Sequence, residues 1–137
     1  MTNIKAPSTL ELRNAVDSLK TAKRLLSDAI KAEPQNIELH KALRDACIQR
    51  FEFCVELSWK TSVKALGLEI KSPNTAIRDM ARNNLIEDTQ VWFDLLVARN
   101  KTSHTYDDTI ARDVYNIAEK SLPLFESLCT KIESLIK

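Results

Sequence analysis

Glycine occurs once and proline four times in 137 residues. That leaves too little turn chemistry for a fold built on β hairpins. No run of 18 apolar residues occurs, and the N-terminal segment has no signal-peptide h-region. The expectation is a soluble, cytoplasmic protein without membrane contact. Neither sign of charge dominates: the formal net charge is +1. The chain therefore lacks a global basic signature for nucleic acid, although a local basic patch stays open. The three cysteines are an odd number, which points to reduced thiols. Cys47 and Cys54 lie seven residues apart on one predicted helix, about 10 Å of axial rise and too far for a disulfide. With no C-x-x-C or H-x-x-x-H spacing, no metal site is expected. All three thiols read as small buried apolar groups.

What remains is helix. Hydrophobic residues make up 44% and charged residues 28%, a composition that suits one domain spanning residues 1–137. Residues 1–7 have no periodicity and read as a loose arm. Ser8-Thr9-Leu10-Glu11 fits a capping box, with Ser8 at the N-cap and Glu11 at N3. A first helix then runs to about Ala32, with Leu12, Ala15, Val16, Leu19, Ala22, Leu26, Ala29 and Ile30 in helical phase. Lys20, Lys23, Arg24 and Lys31 fall on its solvated side. Glu33-Pro34-Gln35 interrupts it, and Asn36 can cap the next helix.

The second helix is predicted from Ile37 to Leu66, with Gly67 as its stop. Leu39, Leu43, Cys47, Phe51, Cys54, Val55, Trp59, Val63 and Leu66 cover more than half its circumference. A surface helix needs an apolar stripe only about 100° wide. This helix is either central in a bundle or faces a second subunit on one side. The other arc carries Glu52, Glu56 and Lys60 at i, i+4 and i+8. On spacing alone, an exposed ion-pair ladder is preferred over an acidic edge beside a site. Ser72-Pro73 opens a short third helix to about Arg82, and Asn83-Asn84 breaks it. A fourth helix is expected from Leu85, with Leu85, Trp92, Leu96 and Arg99 on one face.

Arg99 thus ends an inward-facing stripe, and an Arg so placed needs an anionic partner or a phosphate. Asn100 can end the helix as a left-handed residue. Lys101-Thr102-Ser103 forms the turn, and Asp107 or Asp108 caps a last helix. The apolar phase of that helix survives Pro123, so one long helix, kinked near Pro123, is predicted. The fold class is all-α: an antiparallel up-down bundle of four long helices with an additional short one. The stretch Arg99 to Tyr106 gathers a permanent cation, an imidazole and a phenol at the one polar interruption between strongly apolar helices.

Two stretches carry a resemblance. Arg50 followed by Phe51-Glu52-Phe53-Cys54-Val55-Glu56-Leu57-Ser58-Trp59-Lys60 resembles the R-F-E-[FY]-x-x-E-L-x-W-K segment of the nucleotidyltransferase substrate-binding protein family. That family is placed in the HEPN superfamily. Arg99-Asn100-x-x-x-His104-Thr105-Tyr106-Asp107 resembles its R-N-x-x-x-H-x-Y-[DE] signature. Residues 64–74 match nothing in that pattern. The resemblance implies a homodimeric helical bundle that partners a minimal nucleotidyltransferase. In the toxin subunits of HEPN and minimal-nucleotidyltransferase pairs, the Arg and His form a metal-independent ribonuclease site at the dimer interface. Mapped here, those roles fall on Arg99 and His104. Tyr106 is then the phenol to which the partner attaches AMP, and Asn100 is a further binding residue. The chemistry is coherent: His titrates near neutrality and suits a base for a 2′-hydroxyl, while Arg suits charge on a transferring phosphoryl group. RNA would be the substrate, and no cofactor is implied.

The alternative is a non-catalytic substrate-binding subunit, with Glu52, Glu56, Trp59, Lys60 and Asn100 serving to bind or dock. A plain scaffold, in which Arg99 and His104 only order the turn, is the third reading.

Overall fold

The computed structural model describes residues 6–137; the first five residues of the expected arm lie outside them. Five α-helices follow in order: α1 (Leu10–Ala32), α2 (Ile37–Ala65), α3 (Pro73–Arg82), α4 (Thr89–Asn100) and α5 (Asp108–Leu135). A 3-10 turn, Thr102–His104, joins α4 to α5. No strand occurs among the described residues, and no helix among them is long and apolar enough to cross a membrane. The all-α class is as the sequence predicts.

The broad apolar arc of α2 has a plain cause. Among the described residues, α2 is the one helix that touches all the others. Cys47, Ile48, Phe51, Cys54, Val55, Trp59 and Val63 are buried along it. Ser58 and Ser62 share that interior, a polar pair absent from the predicted arc. Their hydroxyls donate to the carbonyls of Cys54 (2.6 Å) and Ser58 (2.7 Å), so neither is an unpaired buried group. Phe51 and Trp92 both pack on Phe125, with ring centroids 6.2 and 5.9 Å apart. This aromatic cluster joins α2, α4 and α5. All three cysteines are buried free thiols; burial pushes Cys54 up to about 12 and Cys129 up to about 11. At neutral pH they stay protonated and unreactive.

The helix ends follow local chemistry, with three departures from the sequence expectation. At α1 the N-cap is Thr9, not Ser8, and no capping box forms. The Ser8 hydroxyl instead accepts from Leu10 N at 3.1 Å, while the Thr9 hydroxyl turns away to Glu133. At α4 the start moves from Leu85 to Thr89. Asn84 has φ +60° and stands one residue past the cap of α3. Leu85 N then donates back to the Met80 carbonyl at 2.9 Å and Asn84 N to the Ala81 carbonyl at 3.1 Å. This pair of bonds closes α3 in a Schellman motif and interrupts the helical phase. Leu85 and Ile86 are still buried, as link residues, and α4 is only 12 residues long. Asp88 caps it, accepting from Gln90 N and Val91 N. Gly67, φ +68°, closes α2 by the same motif, with Leu68 N on the Val63 carbonyl. Thirdly, Asn100 ends α4 without a left-handed turn; Lys101 caps it at φ −89°. Asn36, Ser72 and Asp107 cap as predicted.

Pro123 sits inside α5, which runs unbroken from Asp108 to Leu135. Proline has no N–H, so the Glu119 carbonyl one turn earlier loses its helical donor. Lys23 Nζ, reaching across from α1, donates to that carbonyl at 2.9 Å. Lys23 was expected on the solvated side of α1; it is half-buried because this bond holds it there. The other end of the same helix pair is pinned by Glu133. Arg13 donates to both of its oxygens, Nε at 2.9 Å and Nη2 at 2.6 Å, and Thr9 donates to one.

These donors, Arg13 first and Thr9 second, lower the Glu133 carboxyl from 4.5 to about 2. A carboxylate with a depressed folded pKa stabilises the fold above its unfolded value and loses that contribution as pH falls. The side chain is 41% exposed, so solvent screening reduces the effect to about 1 kcal/mol. Urea melts of the wild type and Glu133→Gln should differ by that amount at pH 7. The gap should close as pH falls through 4.5 toward 2, the interval set by the Glu133 shift.

Candidate functional site

The last turn of α4 faces the polar arc of α2. Glu52 and Glu56 stand one turn apart there, on the side of α2 not occupied by α1 or α5. They do not form a simple exposed ladder. Glu56 does meet Lys60 at 3.4 Å, but both carboxylates are half-buried and turn to Arg99. Arg99 Nε lies 2.8 Å from Glu56 Oε1, and Nη2 lies 3.8 Å from Glu52 Oε2. The anionic partner that the position of Arg99 required is therefore supplied from within the chain. Its side chain is 30% exposed, a setting where ion pairs are only partly screened.

The contact at Arg99 Nε is one of charge and not of a directed hydrogen bond. The nitrogen is buried and its N–H has no aligned acceptor, despite the 2.8 Å approach of Glu56. The Trp59 Nε1–H is also buried without an acceptor. Trp59 is only 7% exposed, and Lys60 Nζ stands 5.5 Å from the centre of its ring. Both orphaned donors belong to side chains that line one cleft of about 410 Å3, together with Glu56, Pro73, Asn74, Leu96 and Asn100. Two buried donors without partners in one cleft are unusual in a native protein.

Glu52 is held from its other side. The Thr102 hydroxyl lies 2.8 Å from Glu52 Oε2 and 2.8 Å from the Arg99 carbonyl, and its single proton serves one of them at a time. Thr102 also lines a second, open cleft of about 470 Å3, with Glu52, Thr105 and the α2 residues Asp45, Ile48 and Gln49.

The structure thus brings together Glu52, Glu56, Trp59, Lys60, Arg99 and Asn100. It sets His104 and Tyr106 apart. His104 is exposed on the 3-10 turn, and its backbone N–H donates to the Lys101 carbonyl at 3.0 Å. Tyr106 is 87% exposed, its ring centroid 6.1 Å from that of His104 in an edge arrangement. Neither lines either cleft. Arg99 and His104, to which the resemblance assigns one site, do not share a cleft within the single chain, because the turn that follows α4 carries His104 outward.

Thr102, Pro73 and Asn74 are among the lining residues not singled out as site residues from the sequence. Thr102 follows Arg99 by three positions, the spacing at which a hydroxyl reaches back to a helix-terminal carbonyl. Pro73 and Asn74 open α3, after a link with no periodic signal.

Arg99 on two inward carboxylates, with an indole and an amide beside them, lines a cleft in a small all-α protein. The model of the family described as nucleotidyltransferase substrate binding protein like matches residues 11–134, and the chain belongs to that family. Among solved structures it is similar to HI0074 from Haemophilus influenzae, described as the fold of a substrate binding domain of a nucleotidyltransferase. The identity is 28%, over 89% of this chain and 96% of that one, with a TM-score of 0.78. It is also similar to a Thermus thermophilus protein, at 30% identity over 86% of this chain and 98% of that one, TM-score 0.67. No curated protein sequence matches.

Thr102→Val removes the hydroxyl shared by Glu52 and the α4 terminus. It should lower stability by about 1 kcal/mol, the usual worth of a part-buried hydrogen bond. Amide hydrogen exchange at residues 101–104 should quicken more than exchange in α1.

Proposed function

We propose that this chain is the substrate-binding subunit of a nucleotidyltransferase, a partner that holds the molecule the enzyme modifies. The observation that carries this is the cleft at Arg99. Its polar groups, Glu56, Arg99, Trp59 and Asn100, are those of a binding site, and the one nearby imidazole, His104, stands outside it. The family and the similarity to HI0074 support the same reading. In this reading Lys60 and the exposed end of α4 face the enzyme.

A second reading is favoured by the exposed turn. Tyr106 is 87% exposed beside His104, so a partner enzyme can reach its hydroxyl. Transfer of AMP there would join the tyrosine oxygen to the α-phosphorus of ATP, release pyrophosphate and give the phenolic proton to solvent. In that case the chain is a homodimeric, toxin-like subunit. His104 takes the 2′-hydroxyl proton of RNA, Arg99 stabilises charge on the phosphoryl group, and a second protomer brings the two together. For this, Arg99 has to exchange Glu52 and Glu56 for the phosphate.

One set of experiments separates the two. The chain is mixed with a nucleotidyltransferase from the same organism and run on a sizing column, and it is incubated separately with labelled RNA in EDTA. The binding-subunit reading expects a stable complex and no cleavage. Cleavage lost in both Arg99→Ala and His104→Ala, with folding intact, would replace it with the ribonuclease reading. Neither complex nor cleavage would contradict both.

A further inference from the structure

We infer that the cleft between α2, α3 and α4 takes an uncharged ring with an acceptor beside an N–H, the pattern on the pairing edge of a nucleobase, and not a phosphate group. This rests on the binding-subunit reading and names the class of molecule the site selects.

Charge comes first. The one cation lining the cleft, Arg99, already has Glu56 at 2.8 Å and Glu52 at 3.8 Å. Lys60 at 3.4 Å from Glu56 brings the local group to two cations and two carboxylates. A phosphate entering here gains no net attraction and approaches Glu56 directly. An uncharged ligand meets no such opposition.

Hydrogen bonding narrows the class. Arg99 Nε–H is a donor without an aligned acceptor, and Glu56 Oε1 is an acceptor 2.8 Å from it. A donor and an acceptor side by side, not bonded to each other, are the complement of an acceptor beside an N–H: a lactam carbonyl and its N–H, or the ring nitrogen and amino group of adenine or cytosine. Such an edge supplies both: its acceptor takes the Arg99 N–H and its N–H donates to Glu56. The second orphaned donor, Trp59 Nε1–H, suits a further acceptor of the same ring. Pro73 and Leu96 add apolar wall for a flat ring, and the Asn74 and Asn100 amides form a polar rim. Apolar walls with a few convergent polar groups are the usual make-up of a small-molecule site.

Entry is from the α3 side. Both donors are buried, so the rim has to yield before a ligand reaches them. The first turn of α3 follows the exposed stretch 67–71 and carries Asn74 outward, which makes it the wall able to move. The ligand then gives partners to two N–H groups that have none, which offsets the small displacement.

The test uses the two indole N–H resonances of the 15N-labelled full chain. Trp59→Phe identifies that of Trp59. Trp92, packed on Phe125 in the core, reports that each variant is folded. The probes are inosine, 1-methylinosine, inosine monophosphate and inorganic phosphate. Inosine should move the Trp59 resonance downfield and leave that of Trp92 in place. 1-Methylinosine, which keeps the carbonyl but has a methyl group in place of the N–H, should bind about tenfold more weakly or worse, as a site left with unpaired polar groups rejects an analogue. The monophosphate should bind no more tightly than inosine, and phosphate alone should do nothing. Glu56→Gln should weaken inosine about tenfold with the Trp92 resonance unchanged.

The inference fails if inosine leaves the Trp59 resonance unmoved at about 10 mM, weaker than any useful site. It fails equally if 1-methylinosine matches inosine, or if the monophosphate binds far more tightly and phosphate competes. Loss of inosine binding with the nucleotidyltransferase complex intact removes the ligand class and keeps the partner reading. Inosine binding without any complex does the reverse.

Discussion

Helix α2 touches every other helix of the bundle, so its polar arc cannot simply face water. Phe51, Cys54, Val55 and Val63 consume most of its circumference in contacts with α1, α4 and α5. Glu52 and Glu56 are left at the seam where α4 closes over α2. Two half-buried carboxylates one turn apart repel each other unless a cation stands between them. Arg99 is that cation. Its position at the last turn of α4 sets where α4 ends, where Thr102 turns the chain, and which groups line the adjoining cleft.

The same logic of satisfying displaced polar groups recurs elsewhere. Pro123 frees the Glu119 carbonyl, and Lys23 crosses from α1 to take it. Ser58 and Ser62 lie in the interior and bond back to the turn above. Arg13 and Thr9 share Glu133 at the other end of the α1–α5 contact. Against that background of paired groups, the Trp59 N–H, buried without an acceptor, and the Arg99 Nε–H, close to Glu56 but not aligned with it, stand out.

Much of the fold was legible in the sequence. Of the residues that keep one phase along α1, Leu12, Val16, Leu19, Ala22 and Leu26 are buried, while Ile30 near its end is exposed. Asn36, Gly67, Ser72 and Asp107 punctuate the chain where their side chains or torsions allow no other role. What was not legible depended on groups far apart in sequence. Thr9 displaced Ser8 as the cap because its hydroxyl has Glu133 to bond, 124 residues away. Leu85 and Ile86 carry a helical pattern but serve as buried link, since Asn84 takes the left-handed torsion. At the site, Arg99 was readable as needing an anion, while Glu52 and Glu56 read on spacing as an exposed ion-pair ladder. That these were the two halves of one contact was not, because periodicity within α2 says nothing of what α4 brings against it. Pro73 was readable only as the start of α3, and Asn74 carried no signal.

The central claim is that Arg99 is held by the α2 carboxylates and that this pairing shapes the cleft. A double-mutant cycle on folding stability with Glu56→Gln, Arg99→Gln and the double variant measures it most directly. The account predicts a coupling of roughly 1–2 kcal/mol, above the range of exposed pairs because both side chains are half-buried. Additivity to within about 0.3–0.5 kcal/mol would mean that Arg99 and Glu56 are neighbours without an energetic bond. The cleft would then owe its form to packing alone.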